Sequence, residues 1–463
     1  MMAAIAAMTF TGAAAQDEAD FYLPGLISDH AVMLRDADVK LWGWCPALWD
    51  LKIVCSWAPT DTVCVKSDKY NYWETSVRTP ANEGPHSIRF YGWQGQLVRE
   101  VSDILMGEPW LCSGQSNMEY CFRWEISDID SRDNLFDNNK IRVFRVDKAP
   151  SRYPVERLRG HWELCSKEVM DYFSAVGYFF GRRLCEGLGE VPVGLVGAYW
   201  GGTPAEAWID PVTFRDETLQ KKAEAVRGDW PPVANSSLYN GMIFPLKNYT
   251  FAGVIWYQGE ANNERYADYA TMFSSLIRGW RADFGQRLPF YFVQIAPYNG
   301  YAGKNGAYLR EQQAMVNETV EDTGMAVIGD LVNDINDVHP TVKRQVGERL
   351  ANLALNSTYG VEGLNPFSPQ FKSYKVSGNT VTVTTTDAGI SSRSKKIKNF
   401  ELLGSDGTFY PADAKILKNG DIRLTAKGLD KPCGVRYCFT NDAEPEIFGS
   451  NGLPLAPFRT DYE

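Results

Sequence analysis

Histidine is scarce. The 463-residue chain has four, at positions 30, 86, 161 and 339. They make no HExxH and no other ligand spacing, which argues against a metal enzyme; no metal and no cofactor is expected. The nine cysteines include no CxxC pair, which excludes a zinc ribbon and a thioredoxin-type motif. Cys55 and Cys64 flank an expected turn, and Cys433 and Cys438 lie five apart. Either pair could bridge in an oxidising compartment, although neither spacing is diagnostic. No later stretch holds 18 or more apolar residues, so no transmembrane helix is expected. Long basic runs are absent too. Lys plus Arg is 47 against 57 for Asp plus Glu, a formal charge of −10. Neither nucleic acid nor an anionic membrane surface is an expected partner.

What is present is an ordinary globular composition, 44% hydrophobic and 22% charged, which excludes a disordered tail or a coiled coil. The length fits about three domains. Aromatics reach 13%, with 14 Trp and 23 Tyr, which suits both β-rich cores and sugar-stacking surfaces. Residues 1–16 are small and apolar, and Ala13-Ala14-Ala15 before Gln16 resembles an export cleavage site without a basic start. A cleaved signal is expected there, with a disordered N-terminus as the alternative. A signal implies a periplasmic or secreted protein.

Hydrophobic periodicity divides the rest. Over 21–102, runs such as Val39–Trp42, Leu51–Cys55 and Ser87–Tyr91 alternate with period two, which predicts a small β-rich domain. Over 103–362, five short apolar runs (Ile104–Cys112, Val193–Trp200, Phe251–Tyr257, Phe290–Ala296, Met325–Gly329) alternate with helical patterns. Tyr266 to Trp280 is the strongest helix, ending at Gly285. Phe173 to Leu184 and Val342 to Leu353 are two more. That order predicts a parallel sheet covered on both faces. Over 363–463 the β pattern returns, most clearly at Asn379–Thr384.

In such sheets ligands bind beyond the carboxyl ends of the strands. There the sequence places Ser113-Gly114-Gln115-Ser116, then Gly201-Gly202-Thr203, then Gln258-Gly259-Glu260-Ala261-Asn262, then Asp334 to Pro340. A serine, glycines, an amide and an acid–histidine pair on one rim are the equipment of acyl transfer. Ser116 is the candidate nucleophile, with Ser113 as the competing hydroxyl. Met118 stands where the G-x-S-x-G elbow needs its second glycine, so this is not an α/β-hydrolase elbow. His339 alone among the histidines lies beyond a central strand with acids upstream, and is the candidate base. Asp337 is preferred over Asp334 as its orienting acid. Gly201, Gly202 and Asn262 are oxyanion-hole candidates. Gln115, Gln258 and Glu260 on the same rim are candidate substrate contacts. Arg123 is the nearest arginine after the serine that could meet a sugar carboxylate.

The chain resembles the sialate O-acetylesterases, a carbohydrate-esterase branch of the SGNH hydrolases. The resemblance rests on WLCSGQSNME (110–119), WGGTPAEAW (200–208), LYNGMI (238–243), WYQGEAN (256–262) and NDVHP (336–340) in family order. SDHAVML (28–34) and NGLPLAPFR (451–459) extend it over nearly the whole chain. It implies a flavodoxin-like α/β/α SGNH domain between N- and C-terminal β-rich modules. By resemblance Ser116 matches the nucleophile, Gly201-Gly202 the second block's glycine, Asn262 the oxyanion amide and His339 the base. The superfamily sets an acid three residues before the histidine; here that residue is Asn336. The implied substrate is an O-acetylated sugar, first of all sialic acid. An acetylxylan-type deacetylase and a non-catalytic carbohydrate-binding protein are the alternatives.

Overall fold

The computed structural model describes residues 21–129, 135–136, 138–223 and 230–461. The expected export signal, 1–16, lies outside them. One strand, β1 (Leu97–Gly114), carries the architecture. Its first part is largely exposed, with Val101 buried, and pairs antiparallel with His86–Tyr91. From Ile104 onward every residue is buried, as an apolar run covered on both faces requires. The expected boundary between 102 and 103 therefore falls inside a continuous strand. The same hydrophobic core runs from Leu51, Ile53 and Trp73 of the N-terminal module to Trp208 and Trp256.

Behind β1 follow α1 (Ser116–Glu119), β2 (Ile141–Arg145), α2 (Ala175–Gly187), β3 (Val193–Tyr199) and β4 (Gly253–Tyr257). Then come α3 (Tyr269–Phe284), β5 (Phe290–Val293), α4 (Asn305–Thr319), β6 (Thr323–Ala326) and α5 (Arg344–Ser357). The six strands are parallel in the order β6-β5-β4-β1-β3-β2, and Trp162–Leu164 adds antiparallel to β2. With β2 set aside, the order is second-first-third-fourth-fifth, that of flavodoxin-like sheets. Helices α2 and α5 cover one face and α3 and α4 the other.

Two elements escaped the sequence pattern. β2 is short and holds two arginines, yet Arg142 is buried because Asp103 pairs with its guanidinium at 3.0 Å. α4 lacks a local cap, since its N-cap residue is Lys304. α3 begins at Tyr269 rather than Tyr266, because Glu260–Asp268 winds as 3-10 helix. All nine cysteines are free thiols, so neither candidate pair bridges.

The C-terminal module is an antiparallel seven-stranded sheet with its own core around Val381, Leu402, Leu424 and Val435. It docks on α4. Arg459 forks onto Glu311 at 2.7 and 3.1 Å. Asn441 caps α4 from outside: its Oδ1 accepts from Gly306 N at 2.9 Å, and its Nδ2 donates to the Tyr301 and Gly303 carbonyls at 2.7 and 2.9 Å. Asn441→Ala leaves these three backbone groups without their partner, at about 1 kcal/mol each, and is expected to destabilise the protein by roughly 3 kcal/mol. Denaturant unfolding with a midpoint unchanged from wild type would contradict this.

Candidate active site

The site begins with register. Gly114, at the end of β1, stands opposite both Tyr199 of β3 and Tyr257 of β4. Three adjacent strands thus stop level, and their following loops meet. Gly114 has φ +140°, and a Cβ there would lie 2.1 Å from the Tyr257 carbonyl oxygen, so no other residue fits. The chain turns and α1 starts at Ser116, whose side chain is half-buried. Its Oγ lies 2.9 Å from His339 Nε2.

His339 arrives on the loop after β6. Asp337 Oδ1 accepts the His339 backbone N–H at 2.8 Å and lies 3.4 Å from Nδ1, so a residue two positions upstream does turn back to face the ring. Asp334 instead closes its own turn, accepting from Asn336 N and Nδ2 at 2.9 and 3.0 Å. Asn336 Oδ1 accepts from Asn299 at 2.5 Å. Ser113 is fully buried and donates to the Ala198 carbonyl at 2.5 Å, which removes it as a rival to Ser116.

Beyond β3, Gly201 passes so close that a Cβ on it would lie 3.2 Å from the Ser116 Cβ. Its N–H donates to Glu119 Oε2 at 2.8 Å. The expectation that Gly201 supplies an oxyanion donor is corrected accordingly: it contributes close approach. Gly202, at φ +75°, has an N–H with no partner among the described residues. Neither has the N–H of Ser116. Asn262 Oδ1 accepts from Ala205 N at 3.0 Å and Gln258 Nε2 at 2.7 Å. One Nδ2 hydrogen goes to the buried Glu206 at 2.9 Å, which leaves the second free.

A serine hydroxyl on an imidazole, with unpaired N–H groups beside it, is acyl-transfer geometry. The family model for carbohydrate esterases described as sialic acid-specific acetylesterases matches residues 107–356, more than half of the chain. The chain belongs to this family. The sialate O-acetylesterase of Rattus norvegicus is 31% identical over 412 residues, covering 74% of this chain and 76% of that one. The Mus musculus sialate O-acetylesterase is 29% identical over 411 residues with the same coverage. The crystal structure of a carbohydrate acetylesterase from Xanthomonas citri has TM-score 0.86 at 32% identity, and covers 96% of this chain and 100% of that one. The protein is a carboxylic ester hydrolase.

Three of the esterase's expected substrate contacts make hydrogen bonds to neighbouring segments. Gln258 is fully buried: Nε2 donates to Thr203 O and Asn262 Oδ1, and Oε1 accepts from Tyr269. Gln115 Oε1 accepts from Gly259 N and Ala261 N at 3.4 and 3.2 Å, tying the loop after β4 to the serine turn. Glu260 Oε1 accepts from Asn117 at 2.6 Å. Gln258 is thus fully engaged in positioning the rim, and Gln115 Oε1 and Glu260 Oε1 brace it as well. Arg123 is exposed and engaged elsewhere, donating to the Tyr172 hydroxyl at 3.1 Å and lying 5.4 Å from its ring centre.

One charge that acts on the esterase's histidine carries no signal in the sequence. Lys343 reads as the polar start of a helix, yet it is fully buried. Its Nζ donates to Asn117 Oδ1 at 2.6 Å and sits 4.5 Å from the centre of the Tyr120 ring. Asn117 also donates to the Val338 carbonyl at 3.0 Å, so one amide holds the lysine, Glu260 and the histidine loop. Burial pulls the Lys343 ammonium down to about 7, against Glu260, Asp128 and Asp337. Burial pushes the Glu260 carboxyl up, against Asn117 and Lys343. Burial first, and the Lys343 charge second, hold the His339 imidazole below its ordinary 6.5, while Asp337 pulls the other way. The imidazole is therefore neutral at pH 7. Its titration, followed by NMR, is expected below pH 6.5, and Lys343→Met should move it upward by removing one cationic cause. A midpoint that stays or falls in that variant would contradict the assignment.

Proposed function

We propose that the esterase removes O-acetyl groups from sugars through an acyl-enzyme on Ser116, in the manner of SGNH hydrolases, with O-acetylated sialic acid as the favoured substrate. The observation that carries the reading is the 2.9 Å contact between Ser116 Oγ and His339 Nε2. His339 takes the hydroxyl proton as Oγ attacks the acetyl carbonyl. The tetrahedral oxyanion accepts from Ser116 N–H, Gly202 N–H and the free Asn262 amide hydrogen. His339 then gives the proton to the departing sugar oxygen, leaving acetyl-serine and a sugar hydroxyl. Water, deprotonated by His339, attacks the acetyl-serine; acetate leaves and Ser116 regains its proton. Asp337, beside Nδ1, holds the tautomer and stabilises the imidazolium. The sialate reading is supported by the family description and by the names of the Rattus norvegicus and Mus musculus relatives.

One observation favours a neutral acetylated polysaccharide such as xylan instead: Arg123, the cation expected for a sugar carboxylate, is engaged with Tyr172. A non-catalytic carbohydrate binder is disfavoured, since binding alone needs no serine on an imidazole. Acetate release from O-acetylated sialic acid and acetylated xylan, measured side by side, decides the substrate. A rate on xylan above that on sialate would reverse the preference.

Ser116→Ala is expected to abolish release from either substrate while Ser113→Ala retains it; the opposite pattern would overturn the nucleophile. Asn262→Ala should lower kcat by about 10²–10³, the usual loss for one oxyanion donor, with little change in KM. A raised KM at normal kcat would make Asn262 a binding residue. The acid limb of kcat/KM is expected below pH 6.5, because His339 must be neutral to accept the proton and its pKa is depressed.

A further inference from the structure

A cleft of about 390 Å³ opens between the N-terminal module and the segment Phe244–Asn248. None of its lining residues belongs to the serine–histidine site. Its volume lies in the range of small-ligand sites, roughly 300–1,000 Å³. Trp44, Tyr70, Tyr72 and Phe244 supply its aromatic surface. Tyr70 is 73% exposed, and its ring has Lys69 Nζ 4.9 Å from its centre. Its turn is nonetheless rigid, because Asp68 Oδ1 accepts the backbone N–H groups of Tyr70 and Tyr72 at 2.8 and 2.9 Å.

Around the rings stand three carboxylates, Asp68, Glu74 and Glu156. Ionised carboxylates only accept, so a ligand must bring donors. Glu156 has no hydrogen bond or ion pair among the described residues. Asn248 Nδ2 donates to the Tyr72 hydroxyl at 2.9 Å, and that hydroxyl donates to Glu74 at 2.7 Å, so the amide and one carboxylate are held in place. Lys247, which lines the cleft, lies 4.0 Å from the centre of the Phe244 ring, Lys69 4.9 Å from that of Tyr70, Arg157 5.4 Å from that of Trp44, and Lys40 3.9 Å from Glu74, so each of these cations is already engaged. With those cations engaged, an acidic sugar meets no unpaired cation among these side chains, and the unpaired Glu156 faces it with a like charge. Apolar rings beside hydroxyl-accepting groups match the C–H faces and hydroxyl rim of an uncharged sugar.

We propose that this cleft is a second glycan-binding site, separate from the ester-cleaving site, for neutral sugar residues of the glycan that carries the acetyl group. Chain connectivity keeps the two close. Lys148 pairs with Glu119, whose other oxygen holds Gly201 beside Ser116, and Glu156 lines the cleft. Eight residues of extended chain reach at most about 29 Å, which bounds the distance from the Lys148 backbone to that of Glu156. The cleft would hold a polymer near the serine and raise the effective concentration of its esters there.

The test uses the fluorescently labelled full chain on an array of unacetylated oligosaccharides, which offer no ester to the serine. The array carries neutral β-linked hexose and pentose oligomers and sialylated glycans. Binding to neutral oligomers is expected, and Tyr70→Ala and Glu156→Gln should each weaken it at least about tenfold. Both side chains are exposed, so both variants should hydrolyse 4-nitrophenyl acetate at the wild-type rate; that assay separates a failed cleft from failed ester chemistry. Absence of binding to every neutral oligomer overturns the proposal. So does binding that both variants retain, or binding confined to charged glycans.

Discussion

The level ending of three neighbouring strands is the constraint on which the site depends. Gly114 is in register with Tyr199 on one side and Tyr257 on the other, and only a residue without a Cβ can stand against the Tyr257 carbonyl. A side chain at 114 would force β1 and β4 apart. The serine turn, the Gly201-Gly202 loop and the 3-10 segment bearing Asn262 would then lose their common origin. Gln115 strengthens the same junction from the side, through the backbone of the loop after β4. The positions that handle the ester thus hang on backbone packing, and the chemistry is added by loops.

Around that junction the protein buries charged groups and holds each with an amide or a counter-ion. Lys343 and Glu260 share Asn117, Glu206 holds Asn262, and Arg142 meets Asp103 under the N-terminal module. Burying an ion costs several kcal/mol, and a buried pair roughly breaks even only when its geometry and hydrogen bonds are good. Their use here is placement. Asn117 ties the loop of His339 to the helix of Ser116, and burial first, with the Lys343 charge second, holds the imidazole below its ordinary pKa. Glu260 retains one oxygen, Oε2, buried without a partner, which fits a carboxyl that burial has pushed up.

Much of this was legible in the sequence because it is local. The apolar runs at 193–200 and 251–257 became β3 and β4 because a strand buried on both faces needs continuous hydrophobicity. Gly285 ends α3 in the left-handed conformation a C-terminal cap requires. The rim residues Ser116, Asn262 and His339 could be found because they follow predicted strands, where doubly wound sheets bind ligands. The misreadings were of burial and partner. Gln258 and Glu260 looked like ligand contacts from their place on the rim, and a one-dimensional pattern cannot tell a rim side chain that faces in from one that faces out.

By itself, then, the sequence determined most of the elements apart from β2 and α4, the covered parallel sheet, the separate β-rich C-terminal segment and the residue types gathered at the strand ends. These follow from periodicity, which is a property of neighbours in the chain. Tertiary structure alone decided that the Gly201 N–H belongs to Glu119 and that Lys343 lies buried where its charge acts on the histidine. It also decided that α4 forms with its cap supplied by Asn441, 135 residues away. Each of these depends on which groups meet across hundreds of residues, and a hydrogen bond or a lost hydration shell is set by distance in space, which hydrophobic spacing does not encode.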